Sequence, residues 1–264
     1  LSIDEERAWG EQLLPLSLRP ESAFSDFIDA APTTQTAATE LGEVVGDSDV
    51  GAVAKRPLAG VRFNAMSAPG PSGARPEHLR DLTAVKSRKT RGELFRAIGT
   101  FVDKAAHGSL PEDARWILDS RLVFLRKKKG PVPRPIRVGE LWRRVIGKRL
   151  MHTNRDHIQE VCRKVRQLGV ATPGGADALV HWRLSLESVL REEASAFAIV
   201  DVDFANAFPS LEWPAICSAV GSYVPSLAAW TRWCHASAST VMLPSGWTLQ
   251  IDRGAEQGDP LGSV

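Results

Sequence analysis

The sequence predicts an α+β fold, and three stretches carry that prediction. Leu94, Ile98, Phe101, Val102 and Ala105 recur at the spacing that lines one face of a helix. AFAIVDVDF (Ala196 to Phe204) reads as an apolar strand, and TVMLPSGWTLQI (Thr240 to Ile251) as two short strands around a turn. Helices and strands follow no regular βαβα order, which argues against a doubly wound parallel sheet.

Residues 1 to about 29 are expected to hold one short helix. Ala30 to about Pro57 is rich in Ala, Thr, Gly and Asp and reads as a linker, so 1–57 is expected to lie outside the main fold. SAPGPSGARPEHL (Ser67 to Leu79) demands tight turns, and Pro76 sits where a helix can begin. The periodic helix spans Thr90 to His107. Another covers Pro111 to about Ser120 and closes on a strand, RLVFL (Arg121 to Leu125). The prolines of the basic turn RKKKGPVPRP exclude helix around Arg134. A long basic helix is expected from about Glu140 to Arg163. LGVATPGGADALVHWRL (Leu168 to Leu184) reads as a glycine-rich turn entering a helix. Beyond the strand at 196–204, helices are expected near Pro214–Val220 and Pro225–Ser237, then the hairpin, then RGAEQGDPLGSV.

Composition narrows the function classes. Hydrophobic residues make up 43% and charged residues 24% of 264, enough for a sizeable core in one large domain or two small ones. Three scattered cysteines give neither a disulfide framework nor a zinc site, which suits a reducing, intracellular setting. The acidic start LSIDEERAWG lacks the pattern of a signal peptide, and no apolar run approaches the ~18 residues of a membrane span, so no membrane role is expected. Leu1 and the broken-off Gly262-Ser263-Val264 read as cut ends, so a piece of a longer protein is expected. Charge is segregated. Arg115 to Arg166 holds 16 Lys or Arg against four acidic residues, in a chain of net charge +2. A polyanion partner and a merely solvated charged face explain this about equally well.

Several motifs bear on chemistry. On a strand, Ile199, Asp201 and Asp203 share one face and Val200, Val202 and Phe204 the other. Two same-face carboxylates either reach water at the strand end or hold a cation, and alone the pair favours water. Phe208 follows Asp203 by five residues, where the strand turns over. Lys127, Lys128, Lys129 and Arg134 sit on a turn after a strand, as a triphosphate grip or as a solvated hairpin tip. In EQGDPLG, Gly258 permits close backbone approach, and Gln257 offers both donor and acceptor. By itself that segment is only a turn.

In this order the motifs resemble those of the reverse transcriptases of non-LTR retrotransposons. SAPGPSG is similar to the turn that opens that domain. LVFLRKKKG with RPIRVGE resembles its first two fingers motifs, and QLGVATPGGADAL the next. AIVDVDFANAF resembles palm motif A and GAEQGDPLG motif B. The likeness spans about Gly60 to Val264, and its strength lies in five weak motifs standing in the right order.

The resemblance implies a right-hand polymerase fold, with fingers at 58–195, part of the palm at 196–264 and the thumb absent. Asp203 would be the motif A metal ligand, with the Phe204 carbonyl on the same ion. Phe208 would be the steric gate against a ribose 2′-hydroxyl. Arg134 would grip the triphosphate with Lys127 or Lys128, and Gln257 and Gly258 would line the nucleotide and template pocket. Asp201 matches no required position. Within the basic block, Arg143, Arg144, Lys148 and Arg149 would contact nucleic acid. The implied cofactor is Mg²⁺ or Mn²⁺, two ions in the complete enzyme. The implied partners are an RNA template, a DNA primer and dNTPs, in a nuclear setting.

Two departures stand out. The Tyr/Phe-x-Asp-Asp motif C is not in this sequence, so this polypeptide alone is not expected to polymerise. Ser72 stands where that turn commonly has Asp. A non-catalytic nucleic-acid-binding protein or a degenerate element remnant is the competing reading. An RNA-dependent RNA polymerase is disfavoured, because the Phe208 ring cannot hydrogen-bond a 2′-hydroxyl.

Overall fold

A computed structural model describes residues 57–64, 67–126, 133–170, 172, 174–192, 207–256 and 258–262, with positions 2, 4, 5, 8, 200 and 202 besides. The fold is mixed α and β. The first helix, α1 (Pro76–Thr83), starts on Pro76 itself, whose missing N–H would be unpaired there anyway. In α2 (Arg88–Ala106), Ser87 caps the helix by accepting from the Thr90 N–H, and Ile98, Val102 and Ala105 form the buried face. A helix of the 3₁₀ kind (Glu112–Leu118) stands where a helix is expected and leads into β1 (Ser120–Leu125).

β1 pairs antiparallel with β2 (Arg134–Gly139), bringing Leu125 opposite Arg134 at the tip and Ser120 opposite Gly139 at the base. RPIRVG was legible only as non-helical. Its missing proline N–H at Pro135 falls near the strand's start, where a lost ladder bond is tolerated. The expected long basic helix is two, α3 (Leu141–Thr153) and α4 (Arg155–Lys164). They break at Asn154, whose side-chain amide donates to the Leu150 carbonyl at 2.9 Å while its carbonyl accepts from the Ser226 hydroxyl. Asn competes with the backbone in this way, and α3 ends there.

α5 (Gly175–Glu192) follows the glycine-rich turn, as expected. The strand expected at 196–204 lies outside the described residues apart from Val200 and Val202, which are 80% and 71% exposed. Next come the short α6 (Ala207–Ser210), then α7 (Trp213–Tyr223), and a 3₁₀ turn (Pro225–Leu227) running into α8 (Ala228–Cys234). β3 (Ser239–Met242) and β4 (Thr248–Ile251) form the expected hairpin.

The four strands make one sheet in the order β2-β1-β3-β4, with β1 and β3 parallel. The sheet therefore joins strands from both sides of the boundary expected at 195/196. The main core packs α2, α3 and α8 together through Ile98, Val102, Val145, Ile146 and Trp230. A smaller cluster of Leu122, Val241, Leu243, Leu249 and Ile251 fills the sheet. The expected extension at 1–57 lies almost wholly outside the described residues. Asp4, Glu5 and Ala8 are helical, and Ser2 and Glu5 exchange the two hydrogen bonds of a capping box.

Candidate functional site

The terminal motif docks by its backbone on one side and its side chains on the other. After β4, Arg253 bridges to Glu212, and the Gly254 and Ala255 N–H groups donate to the carbonyls of Leu211 (2.6 Å) and Phe208 (2.9 Å). The Trp213 indole N–H donates to the Gly254 carbonyl at 3.0 Å. Gly254 has φ +80°, and a Cβ there would lie 2.8 Å from Pro209 Cα, so only glycine lets the two segments lie side by side. The Phe208-bearing segment and the start of GAEQGDPLG are thus held together edge to edge.

On the other side, Glu256, 2% exposed, enters between β2 and α3. Its Oε1 accepts from Arg137 Nη2 and Arg143 Nη1, both at 3.0 Å. Arg143 Nε donates to Asp259 Oδ2 at 2.7 Å, and Asp259 Oδ1 accepts from the Leu261 N–H at 2.9 Å. Gly139 leaves room for the Glu256 carboxylate, since a Cβ there would stand 2.6 Å from Glu256 Oε2 and push it aside. Two arginines and two carboxylates balance, which lets four charges be buried together. Burial, with the neighbouring Arg143 charge, lowers the Arg137 pKa more than Glu256 and Asp259 together restore. For Arg143 the burial penalty is outweighed by two carboxylates, Glu256 and Asp259, and its pKa rises. The same environment favours neutral neighbours. Burial pushes the Cys234 thiol far up, and burial with the nearby Arg143 charge pulls His235 down to about 3. The His235 ring packs against Trp213, with centroids 4.9 Å apart.

The opening turn docks one residue further along. Gly73 donates to the Gly70 carbonyl, and its φ of +76° closes the turn. The Ser72 N–H and hydroxyl each donate to the buried Glu140 carboxylate at 2.6 Å. An aspartate at 72 would oppose that carboxylate with a second negative charge. Serine at this position thus has a physical reason. Arg144 Nη2 donates to the Ala68 carbonyl at 3.0 Å, and the Arg144 and Lys148 cations lie 5.5 and 5.2 Å from the Phe63 ring centre.

Of the residues singled out from the sequence, Asp203, Phe204, Lys127, Lys128 and Gln257 lie outside the described residues. Arg134 is exposed at the tip of the β1–β2 hairpin. Phe208 is half-buried on α6, and Gly258 approaches the Arg137 carbonyl. The four α3 cations have different fates. Arg143 is buried and committed to Glu256 and Asp259, Arg149 is buried, and Arg144 and Lys148 are half-buried against the segment around Phe63. Burial lowers the pKa of Arg144, Lys148 and Arg149 alike.

Sequence reasoning missed the pairing of Arg137, Arg143, Glu256 and Asp259. A signal was available, because the terminal motif carries two acids and the basic block an excess of arginines. Among the described residues no cluster of His, Cys, Asp and Glu could hold a metal ion, and Glu256 and Asp259 are already taken by arginines. Asp203, the metal ligand expected from the resemblance, lies outside the residues over which this holds. No helix among the described residues is long and apolar enough to cross a membrane. No protein-family model matches the chain, and no curated protein is significantly similar to it.

Proposed function

We propose that this chain is the fingers and part of the palm of an RNA-directed DNA polymerase, a reverse transcriptase of the non-LTR retrotransposon type. The observation that carries the reading is the meeting of motifs far apart in sequence. Ser72 bonds Glu140, Arg137 bonds Glu256, and Ala255 bonds Phe208. Motifs that serve one site have to meet in the fold, and these three contacts are consistent with that requirement.

In this reading the substrates are dNTPs, added to a DNA primer 3′-hydroxyl on an RNA template. Arg134, at the exposed hairpin tip, grips the triphosphate with Lys127 or Lys128, since a guanidinium can hold two phosphate oxygens at once. Phe208 closes the space beside the sugar, and Gln257 and Gly258 face the base and template. Asp203 and the Phe204 carbonyl would hold the divalent ion, Mg²⁺ or Mn²⁺, which supplies charge neutralisation at the phosphates when bound. The aromatic-x-Asp-Asp partner residues are not in this sequence, so catalysis is a property of a protein that carries this chain together with them.

The test is primer extension on an RNA template by such a parent protein. Asp203→Asn is expected to abolish extension while the circular dichroism spectrum stays unchanged. Phe208→Ala is expected to narrow the preference for dNTPs over rNTPs at least tenfold. Near-normal extension by the first variant would refute the metal assignment, and unchanged sugar selectivity in the second would refute the gate.

A further inference from the structure

We infer that the outer face of α2 is a binding track for single-stranded nucleic acid, separate from the α3 cations that the family resemblance points to. Lys89, Arg96 and Lys104 recur at intervals of seven and eight residues, so they line one side of this helix, and all three are exposed. Lys86, Arg88 and Arg91 extend the same charge to its N-terminal end, also exposed. None of the six forms an ion pair or side-chain hydrogen bond with a described residue. Arg88 and Arg91 stand one turn apart in a first turn that carries no acidic residue. Like charges there oppose both each other and the positive end of the helix dipole, a cost of a few tenths of a kcal/mol apiece that a bound polyanion reverses.

Charge alone does not choose the partner. A shallow groove of about 540 Å³ runs between α2 and the 3₁₀ turn, with Phe101, Leu110, Pro111 and Ala114 among its apolar residues and Arg96 and Lys104 along it. Glu93 is the one carboxylate lining it. Of the neighbouring acids, Glu112 is paired with Arg115 at 3.4 Å, and Asp113 is exposed. Cations beside an apolar floor suit a single strand, whose phosphates take the charges while unstacked bases lie on the floor. A duplex keeps its base faces stacked inside and could use only the cations. The span from Lys89 to Lys104 is about 22 Å along the helix, room for several nucleotides.

The inference does not rest on the polymerase reading, since binding is measurable in this chain whether or not a parent protein extends a primer. The experiment is fluorescence anisotropy with labelled single strands of RNA and of DNA, and with a duplex, across a salt series. RNA and DNA strands are both expected to bind, because phosphates and base faces are common to them. The triple variant Lys89→Gln, Arg96→Gln, Lys104→Gln should weaken single-strand binding at least tenfold and lower the salt slope by about 2. Arg155→Gln, Arg163→Gln, Lys164→Gln on α4 removes the same charge and should leave that slope unchanged. Ala97→Leu, which fills the groove without changing charge, should weaken single strands about fivefold and spare the duplex. Equal losses from the two triple variants would reduce the effect to net charge and overturn the proposal. So would binding to anionic vesicles or an acidic peptide with none to either strand.

Discussion

The corner around Glu256 and the helix α5 differ in one decisive respect. At the corner, charged side chains are buried and each finds its counterpart within the chain: Arg137 and Arg143 with Glu256, Arg143 with Asp259, and Glu140 with the exposed Ser72. Along α5 the reverse holds. Leu179, Val180, Trp182, Leu184 and Val189 are all about half exposed or more, and Trp182 reaches 62%. A helix with this much uncovered apolar surface is stable as an element but not as a surface. The difference teaches where the specificity of this fold lies. Paired charges fix the relative positions of the motifs, while these apolar side chains of α5 stand largely in solvent.

The comparison breaks first if the corner proves expendable. Glu256→Ala would leave Arg137 without its carboxylate and Arg143 with Asp259 alone, both inside the protein. Removing one member of such a buried set costs about 3–5 kcal/mol, because the remaining charge stays uncompensated. Urea unfolding followed by circular dichroism should show that loss. A loss below about 1 kcal/mol would mean that water reaches the arginines and that the four motifs are held by their backbone contacts alone.

Much of the fold was legible, and what was not has a physical cause. Pro76 announced the start of α1, the 3.6-residue period announced α2, and Pro-Ser-Gly announced the β3–β4 turn, because each is a local signal. The break at Asn154 was not legible, since it depends on Ser226, 72 residues away. The strand nature of RPIRVG depends likewise on pairing with β1, and proline masked it. At the site, the order of the motifs was readable while their means of attachment was not. Arg143 reads from sequence as one cation among sixteen in its block, and only the folded chain shows it spent on Glu256 and Asp259. The candidate carboxylate Asp203 and its neighbour Phe204 lie outside the described residues, so the metal half of the reading rests on sequence.

A smaller effect sharpens the electrostatic side of the comparison. Asp119, at the entry to β1, accepts the Thr240 N–H at 3.2 Å. Partial burial raises its pKa, the Thr240 hydrogen bonds oppose this, and the Glu140 charge adds to the rise. A carboxyl whose folded pKa lies above its unfolded value stabilises the fold fully only below the unfolded pKa, and that contribution is lost as pH rises through the folded pKa. Asp119→Asn keeps an acceptor for Thr240 and removes the penalty. It should therefore stabilise the protein at pH 7, by less than about 1 kcal/mol after solvent screening, and give no gain at pH 3. Urea midpoints at the two pH values check the sign, and a gain at pH 3 equal to that at pH 7 would remove the titration from the explanation.

The smallest expected effect bears on α5. Trp182→Ser removes the most exposed of the helix's large apolar side chains, which has little packing to lose. Surface changes of this kind stay within about 0.5 kcal/mol. The readout that should move is surface hydrophobicity: binding of an apolar dye should fall while the unfolding midpoint stays where it was. The opposite pattern, a loss above about 2 kcal/mol with dye binding unchanged, would mean that Trp182 is covered in solution. Trp182 would then be a buried side chain like those on the inner face of α2, and the contrast between the two regions would rest on the charges alone.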